Sequence, residues 1–147
     1  MWMLVKVKEI WSKNPTIILV AAAMLLVLLY FIWGWIVRGF SFISNSVKSV
    51  GSTLSTAEAQ AIASSIFSEV NSMITDEDEI VDMVKNLTLA DYYKVQAEFG
   101  IQPYSTTFDN FDSLTGTDSN LTEVLNQTLS KSDKEKIKQT APWLPIV

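Results

Sequence analysis

The chain has 147 residues, 48% hydrophobic and 18% charged, with a formal net charge of −5. That length holds one membrane segment and one small domain, not two domains with sizeable cores. There is no Cys and no His, which excludes disulfide staples, thiol nucleophiles, Cys/His zinc sites and a histidine proton shuttle.

The charge is divided along the chain. Residues 1–50 carry five Lys/Arg against one acid, and residues 51–147 carry six Lys against fifteen acids. A cationic foot suits anionic lipid headgroups. The acidic remainder repels phosphates, so no nucleic acid is expected to bind through it.

Residues 1–13 mix Trp2, Leu4, Ile10 and Trp11 with Lys6, Lys8 and Lys13. This composition suits a basic, aromatic segment lying in the membrane interface, the alternative being a frayed start. From Thr16 to Val37 no residue is charged. Roughly 20 apolar residues cross the hydrocarbon core, so residues 14–38 are expected to form a transmembrane helix. Asn14 suits the N-cap and Pro15 the first turn. Trp2, Trp11 and Lys13 before the span, and Trp33, Trp35 and Arg38 at its far end, are the expected membrane-interface residues. The run is too long for a signal-peptide core, and no small-residue cleavage pattern follows it, so retention is expected. Three Lys before the span against two basic residues after it lean toward a cytoplasmic N-terminus, with the acidic domain on the opposite side.

Residues 39–55 are Ser-rich with two Gly, the composition of a flexible linker, with Phe40, Phe42 and Ile43 near the membrane surface. The acidic domain, residues 56–141, then shows five helix-start signals. Ser55 with Glu58 is a capping box, followed by Ala59, Ile62, Ala63, Ile66, Phe67, Val70 and Met73 on one face. Thr75 and the acids 76–78 open a second helix with Ile80, Val81, Met83, Val84 and Leu87 as its stripe. Thr88 opens a third, with Tyr92, Val95, Gln96 and Phe99 on one side and Gly100 as its stop. Ser119 or Asn120 caps a fourth, with Leu121, Val124, Leu125 and Leu129 inward. Ser132 with Glu135 reads as a capping box for a short fifth helix containing Ile137.

Between the third and fourth helices, residues 101–118 have no helical period. A loop of that length in a small domain is usually functional or mobile, and a helical turn around Phe108–Leu114 is the alternative. The tail, residues 142–147, is apolar and held extended by Pro142 and Pro145. Trp143, Leu144, Ile146 and Val147 are the expected docking element, seated on the chain's own bundle or on a partner.

The order of these signals resembles one annexin-type repeat. Thr75-Asp76-Glu77, Asn86, Phe99-Gly100, Leu121…Leu125…Leu129-Ser130 and Lys134-Glu135 carry the likeness, over residues 57–140. Single repeats of this kind behind one membrane helix are also similar to proteins of Bacteroidota and their phages. The resemblance implies five short helices packed together. It does not carry calcium over. Where the annexin loop needs glycines, this chain has Ser72-Met73-Ile74, and β-branched Ile74 resists φ > 0. Thr128 stands where the family motif has Glu.

The fold class expected is therefore all-α: one N-terminal transmembrane helix and a small five-helix annexin-like bundle. The acids 76–79 are consecutive on a helix and point apart, so they suit a solvated N-terminus better than an ion site. The loop acids Asp109, Asp112 and Asp118, with Asn110 and backbone carbonyls, are better placed to converge on a cation, but their spacing is not that of an EF-hand. No phosphate loop and no nucleophile with a base stand out. No catalytic residue, cofactor or metal is expected. The function expected is a non-enzymatic, single-pass membrane protein whose partners are the lipid bilayer, other membrane or shell proteins, and copies of itself. One setting is the internal membrane of a bacteriophage particle, present in many copies, with the basic foot toward the genome and the acidic head toward the shell. The alternatives are an accessory subunit of a bacterial envelope complex in the inner membrane and a calcium-dependent lipid binder.

Overall fold

The computed structural model describes residues 15–147, without the side chains at 15, 17, 18, 34, 35, 37 and 38. The interfacial segment 1–13, with Trp2, Trp11 and Lys13, lies outside the described residues, as do the side chains of Trp35 and Arg38. The chain divides into two compact units, Met1–Val37 and Arg38–Val147.

The first helix, α1, spans Pro15–Lys48, 34 residues without a break. Its large apolar side chains from Leu19 to Trp33 are each at least half exposed, Trp33 at 68%. No helix among the described residues is long and apolar enough to cross a membrane.

A flexible linker was expected from residue 39, yet the backbone stays helical to Lys48. The reason is tertiary. Asn45 is buried, and both Asn45 and Lys48 have partners within their own unit, Gln96 and Tyr93, which repay the ordering of Ser-rich chain.

The second unit is a five-helix bundle: α2 (Thr56–Val70), α3 (Glu77–Val84), α4 (Leu89–Phe99), α5 (Leu121–Thr128) and α6 (Lys131–Thr140). The capping chemistry read from the sequence sets most of the boundaries. As read, Ser55 and Glu58 form a reciprocal box at α2, Thr88 caps α4 and Asn120, not Ser119, caps α5; the structure adds that Asp76, next to Thr75, is the cap of α3 and that Glu123 completes a second box with Asn120. Gly100 closes α4 with φ 70°, a left-handed conformation that glycine adopts without a Cβ penalty. Two boundaries differ. α6 is capped by Ser130, two residues before the expected Ser132: Leu129 before it is buried, and the Ser130 hydroxyl accepts from Asp133 N–H. α2 ends at Val70, so Met73 lies beyond the helix and is fully exposed instead of facing inward.

The core is where the helical stripes meet. Ala59, Ile66 and Val70 of α2, Ile80 and Val84 of α3, Tyr92 and Val95 of α4, Leu121, Val124 and Leu125 of α5, and Ile137 of α6 are all fully buried. α2 packs most extensively on α4, and α3 on α6.

The domain is not all-α. Within 101–118 the chain forms β1 (Gln102–Ser105), β2 (Asn110–Phe111) and β3 (Thr117–Ser119), an antiparallel sheet in the order β2-β1-β3. Neither a structureless loop nor a helical turn is present there. Phe111 seats the sheet: its ring stacks on Phe67 of α2 at 4.4 Å and meets Phe99 and Tyr104 at 5.9 and 5.7 Å. Gly116 fits against the backbone of β1, where an added Cβ would lie 2.3 Å from Pro103 O and 2.4 Å from Asp112 O. Gly116→Ala is therefore expected to destabilise the domain by about 1–3 kcal/mol, as overpacking does. Thermal denaturation checks it, and an unchanged melting temperature would count against the close approach.

Candidate functional site

The residues with the most concentrated chemistry lie where the end of α1 and the segment 49–55 meet α4. Asp91 sits in the first turn of α4, 4% exposed. Its Oδ1 accepts from Ser52 Oγ at 2.7 Å, Thr53 N at 2.7 Å and Leu54 N at 3.3 Å. Its Oδ2 accepts from Thr88 Oγ1 at 2.6 Å. Burial alone would raise this carboxyl. The hydrogen bonds from Thr88, Ser52, Thr53 and Leu54 outweigh it and hold Asp91 well below the usual carboxylate range. A carboxylate only accepts, and here every partner donates, so the site is matched to the ionised form. Lys94, one turn along α4, donates to Leu54 O at 2.5 Å.

Beside this clamp runs a chain of side-chain hydrogen bonds from α1 into the core. Gln96 Nε2 donates to Asn45 Oδ1 at 3.0 Å, Thr122 Oγ1 donates to Gln96 Oε1 at 2.6 Å, and Thr122 lies 2.9 Å from the Tyr92 hydroxyl. Burial pushes the Tyr92 phenol far above its ordinary value, so it stays neutral. Lys48 Nζ lies 4.8 Å from the centroid of the Tyr93 ring, a cation–π contact. The sequence pattern had marked Gln96 as an inward residue of α4. It gave no sign of Asp91, which reads as a surface acid in a helical first turn.

The tail packs on its own domain. Leu144 and Ile146 are 5% and 1% exposed and join the core. Trp143 Nε1 donates to Leu87 O at 3.0 Å while half of its surface stays open. Val147 N donates to Asn126 Oδ1 at 2.7 Å, leaving its side chain exposed. Of the four residues expected to dock, two are core residues and two lie at its rim.

The acidic run at α3 lines an open depression of about 510 Å³ with Ile74, Thr75, Ser132, Asp133 and Lys136. The acids there have separate tasks. Asp76 caps α3, Glu77 accepts from Ser130 N–H at 2.7 Å, and Asp78 pairs with Lys136 at 2.7 Å. Asp133 is held at about 2 by the Lys136 ammonium and then by the Ser130 hydroxyl. In the sheet, Asp109 accepts from Tyr104 OH and Asp112 from Thr115 Oγ1 and Leu114 N–H. Among the described residues no group of acids is arranged to hold a metal ion. No family model, curated protein or solved structure matches the chain.

Proposed function

We propose that this chain is a non-enzymatic, single-pass membrane anchor that holds a small acidic helical domain beside the bilayer and joins the membrane to other proteins. The observation that carries the reading is α1. Its uncharged stretch, Thr16–Val37, lies inside one 34-residue helix whose described large apolar side chains are at least half exposed. Apolar surface of that extent is covered by lipid or protein, and the flanking Lys13, Arg38 and tryptophans suit headgroup depth. The Asp91 clamp supports an anchoring role, since it fastens the chain that follows α1 to the folded domain by side-chain and backbone bonds. The five capped helices support reading that domain as a single annexin-like repeat with a small sheet inserted after the third helix. Within this class we favour a multi-copy protein of an internal virion membrane, linking membrane to protein shell.

The test is fractionation of cells expressing the full chain. The protein is expected to stay in the membrane pellet after alkaline carbonate and to leave it only with detergent. Leu25→Arg with Leu29→Arg should move it substantially to the soluble fraction, because each central Arg costs about 2.5–3.5 kcal/mol on insertion scales. Release of the unmodified chain by carbonate alone overturns the proposal. Copurification in mild detergent then identifies the class of partner.

A further inference from the structure

The end of α1, residues 39–48, meets its domain through polar side chains alone. Asn45 is buried and Ser41, Ser46 and Ser49 are half-buried, whereas Phe40, Phe42, Ile43, Val47 and Val50 are each more than half exposed. No residue of 39–50 joins the hydrophobic core. Ser41 and Ser49 bond within their own helix: Ser41 Oγ accepts from Asn45 Nδ2 at 3.4 Å, and Ser49 Oγ donates to Ser46 O at 2.8 Å. Among the described residues, one hydrogen bond and one cation–π contact join 39–48 to the domain, Gln96 Nε2 to Asn45 Oδ1 and Lys48 over Tyr93. Each is a net exchange against water, and each shifts an equilibrium by a few-fold to about tenfold. Together they favour the docked arrangement by only on the order of ten- to a hundredfold.

Just beyond, the attachment changes character. Residues 49–51 form a turn. Gly51 has φ +92° and no atom within 4 Å of where a Cβ would stand, so nothing packs against its backbone. After it Ser52 Oγ, Thr53 N and Leu54 N converge on Asp91 Oδ1 at 2.7, 2.7 and 3.3 Å. We propose that residues 39–48 are a latch hinged at Gly51, which opens at the Asn45–Gln96 bond while the Asp91 clamp holds and the domain stays folded. The polar face suits that task. Undocking an apolar face costs in proportion to the area exposed, whereas water takes the place of Asn45 at Gln96. Opening leaves Gln96, bonded onward to Thr122 at 2.6 Å, accessible to water and frees the Lys48 ammonium from the Tyr93 ring. The latch lies within the unit Arg38–Val147 and stands whether or not α1 spans a bilayer. Where α1 does, as proposed above, a pull along it opens the latch before the clamp.

Because the chain has no Cys, a pair of labels can be placed without background. Nitroxides at Ile43→Cys and Ala61→Cys, both exposed, report the distance from the latch to α2 in the full chain in detergent. With the catch intact the main distance should be narrow, with a longer component of at most about a tenth. Asn45→Ala cuts the catch and raises the intrinsic helix propensity, so it separates opening from melting of the helix. It should raise the longer component about three- to tenfold. Lys48→Met added to it should make the open form the main species. The melting temperature of the domain should not move with Asn45→Ala, since 39–50 supplies no core residue, while Asp91→Ala lowers it. A single narrow distance that neither substitution changes overturns the latch. So does a fall in melting temperature with Asn45→Ala as large as that with Asp91→Ala, which would make 39–48 part of the cooperative fold.

Discussion

Replacing Asp91 with alanine is expected to destabilise the acidic domain by roughly 3 kcal/mol or more, since hydrogen bonds to a charged group contribute about 1.5–3 kcal/mol each and several are lost together. For a domain of this size that lowers the melting temperature by about 12–24 °C. The cost has two parts. Thr53 and Leu54 lose the acceptor of their backbone N–H groups, and Ser52 and Thr88 lose that of their hydroxyls. Asp91→Asn should recover only part of the loss, because an amide nitrogen would face donors. The pH dependence follows in sign. The folded carboxyl is depressed below its unfolded value, so its contribution is full above about pH 4 and is lost as pH falls toward the folded value. Asp133, held at about 2, adds to the same acid-side loss, discounted because its partner Lys136 is half exposed. Denaturation of the wild type and Asp91→Ala between pH 2 and 7 should show curves that converge toward acid. A constant gap between them would mean that the ionised form has no special role.

Deleting residues 142–147 is expected to destabilise the domain by about 3–6 kcal/mol. Leu144 and Ile146 are buried in the core, and a fully buried aliphatic side chain contributes roughly 1.5–3 kcal/mol. The area removed from water is measured against an extended chain, so the lower end is the better guide. The deletion also frees Leu87 O from the Trp143 indole and Asn126 from Val147 N–H. Leu144→Ala with Ile146→Ala should reproduce most of the loss, while Trp143→Ala should cost far less because half its surface is open already. If the truncated protein melts unchanged, the tail is not part of the core and its docking lies elsewhere.

The helices of the acidic domain were legible because their signals are local. A serine three residues before a glutamate, or a threonine at the end of a stripe, acts within one turn, and the 3.6-residue period names the buried face without reference to anything distant. Hence Ile66, Val84, Tyr92, Leu125 and Ile137, read as inward, are all fully buried. The sheet was not legible. Its strands are two to four residues long, too short to show a period of two, and the central one carries Pro103, which removes a donor and argues against a strand. It exists because Phe111 finds Phe67 and Phe99, residues far away in sequence.

The same division holds for the first helix and the clamp. The sequence by itself determined that 16–37 is uncharged and apolar, that the chain before it is basic, and where the later helices begin and stop. Only the tertiary structure decided that helix continues through the Ser-rich stretch to Lys48, and that Asp91 is a buried hub instead of a solvated acid. Both depend on partners 38 to 51 residues apart in sequence, Thr53 with Asp91 and Asn45 with Gln96. Composition weighs a serine or an aspartate by its affinity for water. Folding supplies donors and acceptors that replace that water, and no local pattern records where they will stand.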